Sequence, residues 1–498
     1  MRRPRKTPLQ LTFMILVPVL AFLTLGAWSF ASPVAASPDE DFHMASIWCG
    51  LGDREGLCED PGDPVERLIP TAVTTATCYA FHADRSAGCW DPAEPGMTLV
   101  QRANVDGLYP RVFYAAMSVF ASPDIQLSVA TMRLVNSAFA VALLTVVFWA
   151  LPRGLRTPLV VSVTATSVPL GLFVFGSTNP SSWALLSAAT VWITLYASTR
   201  TAGRRRLVLL GLALFGAIIG GGARADSAAY TVFAVVLALF LGVRSVRQQI
   251  VPLTVGAVMI VVSAAFYLGA AQGSAVVSGL DNDKGPLSGF QIIMNALNVP
   301  TLWTGALGGW GLGWIDTSMP GIVTVMSTFV FAGAFFIGVH RATPRRLVAV
   351  GLTVLAMWAV PFLLLYQSRA TVGELVQPRY ILPLMIIAVG VASMRVSAAR
   401  AWAGPRAITA AVALVIGAAI ALHTNIRRYT TGVDTQALDP GANAQWWWPG
   451  APSPLVTWIV GSLAFAGVLA AMAFLAARSE VVRPQAEAAA AGDEANRA

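Results

Sequence analysis

Charge is scarce in this chain: Asp, Glu, Lys and Arg together make up 12% of its 498 residues, against roughly a quarter in soluble domains. With 56% of the residues hydrophobic, that deficit excludes an ordinary water-soluble globular protein. Histidine is scarcer still, the four being His43, His82, His340 and His423, and no His-Glu-x-x-His, Gly-x-Ser-x-Gly or Walker A pattern occurs. Protease, lipase and ATPase readings therefore lack support, and Gly220 to Gly222 reads as a helix-packing or hinge run rather than a phosphate loop. No short period marks a solenoid. The net charge of +8 is spread over short loops with no reading module, so nucleic acid is not an expected partner.

What remains is apolar. Hydrophobic runs of about 17 to 25 residues recur along the chain, each long enough to cross a hydrocarbon layer of about 30 Å as a helix. They predict an all-α integral membrane protein of about twelve transmembrane helices. A basic end and the first span occupy 1–31, spans 2 to 7 occupy 127–271, spans 8 to 11 occupy 320–423, and the last is 455–476. The connections 32–126, 272–319 and 424–454 are long, 367–379 is shorter, and the tail 477–498 reads as disordered or weakly helical. The first apolar run exceeds a signal-peptide core, so a retained anchor is expected.

Orientation follows from the arginines. Arg2, Arg3, Arg5 and Lys6 precede the first span, and Arg153 with Arg156, Arg200 with Arg204 to Arg206, Arg244 with Arg247, Arg341 with Arg345 and Arg346, and Arg395 with Arg400 and Arg406 fill alternate loops that hold no acid. Of the 25 acidic residues, all but Glu480, Glu487, Asp493 and Glu494 fall on the opposite side. By the positive-inside rule both termini are cytoplasmic and the long connections extracytoplasmic. Cys49, Cys58, Cys78 and Cys89 all lie in the first long connection. An oxidising compartment favours disulfides there, and of the three connectivities Cys49 with Cys58 and Cys78 with Cys89 needs the least chain reorganisation. A zinc site is the rival, without a Cys-x-x-Cys to support it.

Chemistry is expected on that same side. Asp39, Glu40 and Asp41 precede His43 just past the first span, an acidic knot at a membrane boundary that reads as a site, with a hydrated loop as the plain alternative. Arg133 lies about two turns inside the second span and must snorkel outward or meet an anion. Arg224 and Asp226 form the turn between two spans, as a binding group or a structural ion pair, Asn179-Pro180-Ser181 starts another helix, and Arg379 with Tyr380 opens the tenth span. Arg133, Arg224 and Arg379 are thus candidates to converge on a phosphate. Trp303, Trp310, Trp314 and Trp446 to Trp448 suit an interfacial belt or sugar stacking. Asp281 and Asp283 leave a divalent cation open, but they miss the EF-hand spacing and fit a hydrated loop.

The order Pro38-Asp39-Glu40-x-x-His43, Tyr109-Pro110 with Tyr114, Arg133, Asn179-Pro180-Ser181, Arg224-x-Asp226, Gly313-Trp314-Ile315-Asp316 and Gln377-Pro378-Arg379-Tyr380-x-Leu382-Pro383 resembles a bacterial membrane-protein family of unknown function. That family is grouped with the GT-C glycosyltransferases, which use polyprenyl-phosphate sugars. The chain departs from the family pattern at Pro378, where Gly is common. The resemblance implies a catalytic carboxylate early in the first outer loop, here Asp39 with Glu40 as second candidate, and a place in the bacterial plasma membrane. Tyr109, Asn179, Asp226, Trp314 and Asp316 become substrate-contact candidates.

The expected activity is inverting transfer of a sugar from a polyprenyl-phosphate donor to an envelope glycan or lipid acceptor, within membrane lipids. A carboxylate, Asp39, accepts the acceptor proton, Arg133, Arg224 and Arg379 hold the donor phosphate, and His43 and Tyr380 orient substrates. No metal ligand set is assigned, since arginines alone can neutralise the leaving group. Two rivals stand beside it: a lipid or glycan transporter, disfavoured because the span centres are almost free of charge, and a non-enzymatic envelope-assembly protein.

Overall fold

A computed structural model describes residues 8–394 and 398–495; the basic residues before Pro8, and Arg395, lie outside them. The chain is mostly helical. Among the described residues, eight helices are long and apolar enough to cross a membrane: Ile125–Ala150, Gly203–Ala223, Ala225–Gly242, Arg247–Leu268, Gly321–Val339, Pro344–Gln367, Pro405–Thr431 and Pro454–Leu475. The first helix, Pro8–Phe30, is 23 residues long, and the apolar helix Leu382–Ser393 is shorter.

The expected count of about twelve is not reached by length and hydropathy among the described residues, for local reasons. Over 158–176 the helix stops at Ser167, because Val168 precedes Pro169 and takes an extended backbone, and a short helix Leu170–Phe175 follows. Over 180–198, helix Ser181–Ser198 carries Ser187, Thr190 and Thr194 among its apolar residues and is buried almost throughout. The tenth expected span shrinks to Leu382–Ser393, 12 residues long and wholly buried, which reaches only about 18 Å at the helical rise. These two helices pack on each other at the centre of the bundle, and Gly390 is the contact point, since a methyl group there would overlap the Trp192 ring. Surrounded by protein, neither has to be apolar or long enough to satisfy lipid.

The long connections gather at one end. The first holds helix Glu40–Trp48, an antiparallel hairpin of Arg67–Pro70 with Met97–Val100, and helix Val112–Ser118. Cys49 is bonded to Cys58 and Cys78 to Cys89, the local pairing expected. Backbone bonds from Ala271 and Gln272 to the carbonyls of Gly107 and Leu108 join the second connection to the first. That second connection contains helix Gly289–Asn298. The fourth was expected to begin at Thr424, but helix Pro405–Thr431 runs on past it with Asn425, Arg427, Arg428 and Tyr429 all buried. Packing against the first connection keeps that polar stretch helical. The last helix continues as backbone to Ala495.

Candidate functional site

The site is built around an irregular strap that leaves the first helix at Phe30. Non-helical backbone at a membrane boundary must find partners for its carbonyls, and here side chains from distant parts of the chain supply them. Trp448 Nε1 donates to Phe30 O at 3.0 Å, Asn425 Nδ2 to Ala31 O at 2.9 Å, and Arg133 to Ser32 O and Pro33 O at 2.6 and 2.7 Å. Tyr79 Oη donates to Val34 O, Trp314 Nε1 to Ala35 O at 3.0 Å, and Tyr429 Oη to Ala36 O at 3.5 Å. Pro38 O receives both Asn179 Nδ2 at 3.0 Å and Arg379 Nη1 at 2.7 Å.

The strap delivers Asp39 to the head of helix Glu40–Trp48 in a left-handed backbone conformation, φ 57°. Aspartate at that position ordinarily caps the helix by accepting from its first free amides. Asp39 makes no such bond; its carboxylate turns to Arg379 Nη2 instead. Its side chain keeps 32% exposure while that of Arg379 has 1%, so Asp39 stands between the guanidinium and the surroundings. Burial alone would push the Asp39 carboxyl up, but Arg379 holds it below the ordinary carboxylate range.

One turn further on, His43 lies on the same face. Its Nδ1 meets Tyr114 Oη at 2.9 Å, and its buried Nε2 has no partner. Burial outweighs the pull of Asp39 and drives the imidazole well below 6.5, so the ring is neutral. Arg379 and Arg224 lie over the Tyr380 ring, 5.3 and 5.1 Å from its centroid, and Arg224 is also 5.5 Å from that of Tyr109. Arg224 is held by a two-pronged contact with Asp226 at 2.9 and 2.7 Å. Burial raises the Tyr109 phenol to about 12 against the opposing pull of Arg224.

Asp39, His43, Tyr109, Arg224, Asp226, Arg379 and Tyr380 therefore form one cluster. Arg133 does not join it. It neither snorkels nor faces a donor site; its side chain is 1% exposed, its N–H groups donate to Ser29 O in the last turn of the first helix and to Ser32 O and Pro33 O in the strap, and Glu40 lies 3.4 Å away. Glu40, the second candidate base, is closed off among Arg133, Thr178 Oγ1 and the Ser37 amide. Asn179 and Trp314 hold strap carbonyls, and Asp316 pairs at 2.8 Å with the buried Arg428, whose N–H groups also donate to the carbonyls of Tyr79, His82 and Arg85. Of the acidic knot's remaining member, Asp41 meets Arg102 at 3.4 Å. The three carboxylates thus turn to three different guanidiniums, and among the described residues no group of three or more His, Cys, Asp or Glu is placed to share a metal ion.

Pro378, the departure from the family pattern, opens the turn Pro378–Tyr380 behind an extended Gln377 and borders a narrow cleft lined by Pro38, Gly305, Gly311, Gly313 and Arg379. Sequence reasoning did not find the roles of Tyr79, Thr178, Arg102 and Arg428. Arg428 carried a signal, a charge beside Tyr429 at the end of an apolar run; the other three look like ordinary loop residues.

Residues 22–388, nearly three quarters of the chain, match a family model described as a predicted membrane protein, DUF2142. No curated protein matches the chain.

Proposed function

Because the chain belongs to the DUF2142 family of predicted membrane proteins, a description that names no reaction, we propose its activity from the site itself: GT-C-like transfer of a sugar from a polyprenyl-phosphate donor to a cell-envelope acceptor, with inversion and with Asp39 as general base. On this reading the protein sits in a bacterial plasma membrane with both termini cytoplasmic, the disulfide-linked connection and the cluster extracytoplasmic, and the shorter central helices completing about twelve crossings.

The observation that carries the reading is the placement of Asp39, which stands at the head of a helix without making a side-chain capping bond and rests, partly accessible, on a buried arginine. Aspartate tolerates the left-handed backbone region better than most residues, and here that conformation accompanies a carboxylate turned to Arg379 rather than to the helix amides. In the reaction the acceptor hydroxyl oxygen bonds to the anomeric carbon as the bond from that carbon to the phosphate oxygen breaks. The hydroxyl proton passes to Asp39, and polyprenyl phosphate leaves with the electron pair. Arg379 and Arg224, both close to the Tyr380 ring, supply the positive charge that stabilises the departing phosphate. A donor phosphate that engages Arg379 takes an N–H from Asp39, and the carboxylate, freed of the cation that lowers its pKa, becomes a stronger base as the donor arrives. His43 Nε2 and Tyr380 are placed to orient the substrates.

The test is transfer of labelled sugar from a polyprenyl-phosphate donor to envelope acceptors by the purified protein in lipid. Asp39→Asn is expected to lose at least about a hundredfold in rate, the scale of general-base catalysis, while remaining folded. Full transfer by that variant removes the base assignment, and no transfer by the wild type with a range of donors removes the enzymatic reading.

A further inference from the structure

Helix Gly289–Asn298 is amphipathic the wrong way round for a water-soluble surface. Phe290, Ile293, Met294 and Leu297, 71, 60, 36 and 68% exposed, follow the i, i+3, i+4, i+7 spacing that puts them on one face. Its buried residue is polar: Asn295 donates to Ala370 O at 2.9 Å and accepts from the Val372 amide at 3.0 Å. Trp358 Nε1 adds a bond to Ala296 O at 2.8 Å. The helix is therefore fastened to the bundle by hydrogen bonds while its apolar stripe faces outward. A capping box between Ser288 and Gln291 serves its first amides, so nothing further is needed at its start.

We propose that this helix lies flat in the interfacial layer of the bilayer, on the leaflet nearest the Asp39 cluster, with the Phe290 to Leu297 stripe set among lipid acyl chains. The lipid is identified by continuity. The preceding span ends at Leu268, 82% exposed, and the following one starts with Ile322 and Val325, 39 and 61% exposed, so the connection that carries the helix runs between two surfaces that are themselves apolar and outward-facing. Tyr366 and Arg369 are exposed on the segment that holds it, a phenol and a cation suited to the headgroup level, while the nearby Lys284 is paired with Glu374 at 2.7 Å. An apolar stripe with that rim sinks about 5–10 Å into the boundary between headgroups and chains. This inference is independent of the transferase reading.

All four native cysteines are in disulfides, so single added thiols can be labelled. Ile293→Cys, Leu297→Cys and, as a control in the polar loop, Asp283→Cys are given an environment-sensitive fluorophore in nanodiscs of phosphatidylcholine and phosphatidylglycerol. Lipid carrying a nitroxide near the top of its chain should quench the labels at 293 and 297, and iodide should quench them at least about threefold less than the label at 283. Equal iodide quenching at all three positions overturns the proposal. Shielding of 293 and 297 from both quenchers also overturns it, and cross-linking through those thiols would then show that a second copy of the chain covers the stripe.

Discussion

The Asp39 carboxylate rests on the Arg379 guanidinium, 340 residues away in sequence, and ignores the amides of the helix it begins. The two groups are in direct contact, so the carboxylate occupies the position that an incoming anion would take on Arg379.

Asp39→Asn should therefore do two opposite things. It should abolish transfer and yet tighten the binding of inorganic pyrophosphate or polyprenyl phosphate, by about tenfold on the scale of one charge-assisted hydrogen bond. Arg379→Ala should weaken the same binding. Calorimetric titration of the two variants measures both, and unchanged anion affinity in Asp39→Asn would show that carboxylate and phosphate do not compete.

Arg133 and Glu40 make a buried pair, and breaking such a pair by removing one partner costs about 3–5 kcal/mol. Glu40→Leu together with Arg133→Met should not recover that loss, because the carbonyls of Ser29, Ser32 and Pro33 would still lack their donor. Thermal unfolding in detergent compares the single and double variants; full recovery in the double would mean that the strap carbonyls are not what Arg133 serves.

His43 is neutral in the fold because burial depresses its pKa below 6.5. Below that pH the unfolded chain takes up a proton that the folded one refuses, so stability falls as pH drops from 7 toward 5. His43→Gln should flatten this part of the stability profile, and an unaltered slope would mean that other groups set it.

Trp314→Phe removes one hydrogen-bond donor from the strap while keeping most of the ring. A lower melting temperature, corresponding to about 1 kcal/mol, with unchanged sugar-donor affinity is expected if Trp314 supports the backbone at Ala35. A selective loss of donor affinity would restore it as a sugar contact.

Much of the site was legible because its signals are local. Carboxylates just past an apolar run, arginines at helix ends and cysteines 9 and 11 residues apart each announce themselves. What a buried arginine touches does not: Arg133 and Arg379 look alike as charges beside apolar runs, and only the fold gives one the strap carbonyls and the other Asp39. Helix length misled for the same reason. The Ser- and Thr-bearing helix Ser181–Ser198 and the 12-residue helix Leu382–Ser393 are stable at the centre because protein surrounds them, which no hydropathy window registers. The helical run of Asn425 to Tyr429 was hidden by its polarity, since its polar groups point into the structure rather than to water.

The strap imposes an order on biogenesis. Phe30 leaves the ribosome early, but its partner Trp448 follows 418 residues later, and Asn425 and Tyr429 come little sooner. Tyr79 and Arg133 arrive early to serve Val34, Ser32 and Pro33, but Phe30, Ala31 and Ala36 wait for the final helices, so a chain interrupted before them would hold the stretch that carries Asp39 only in part.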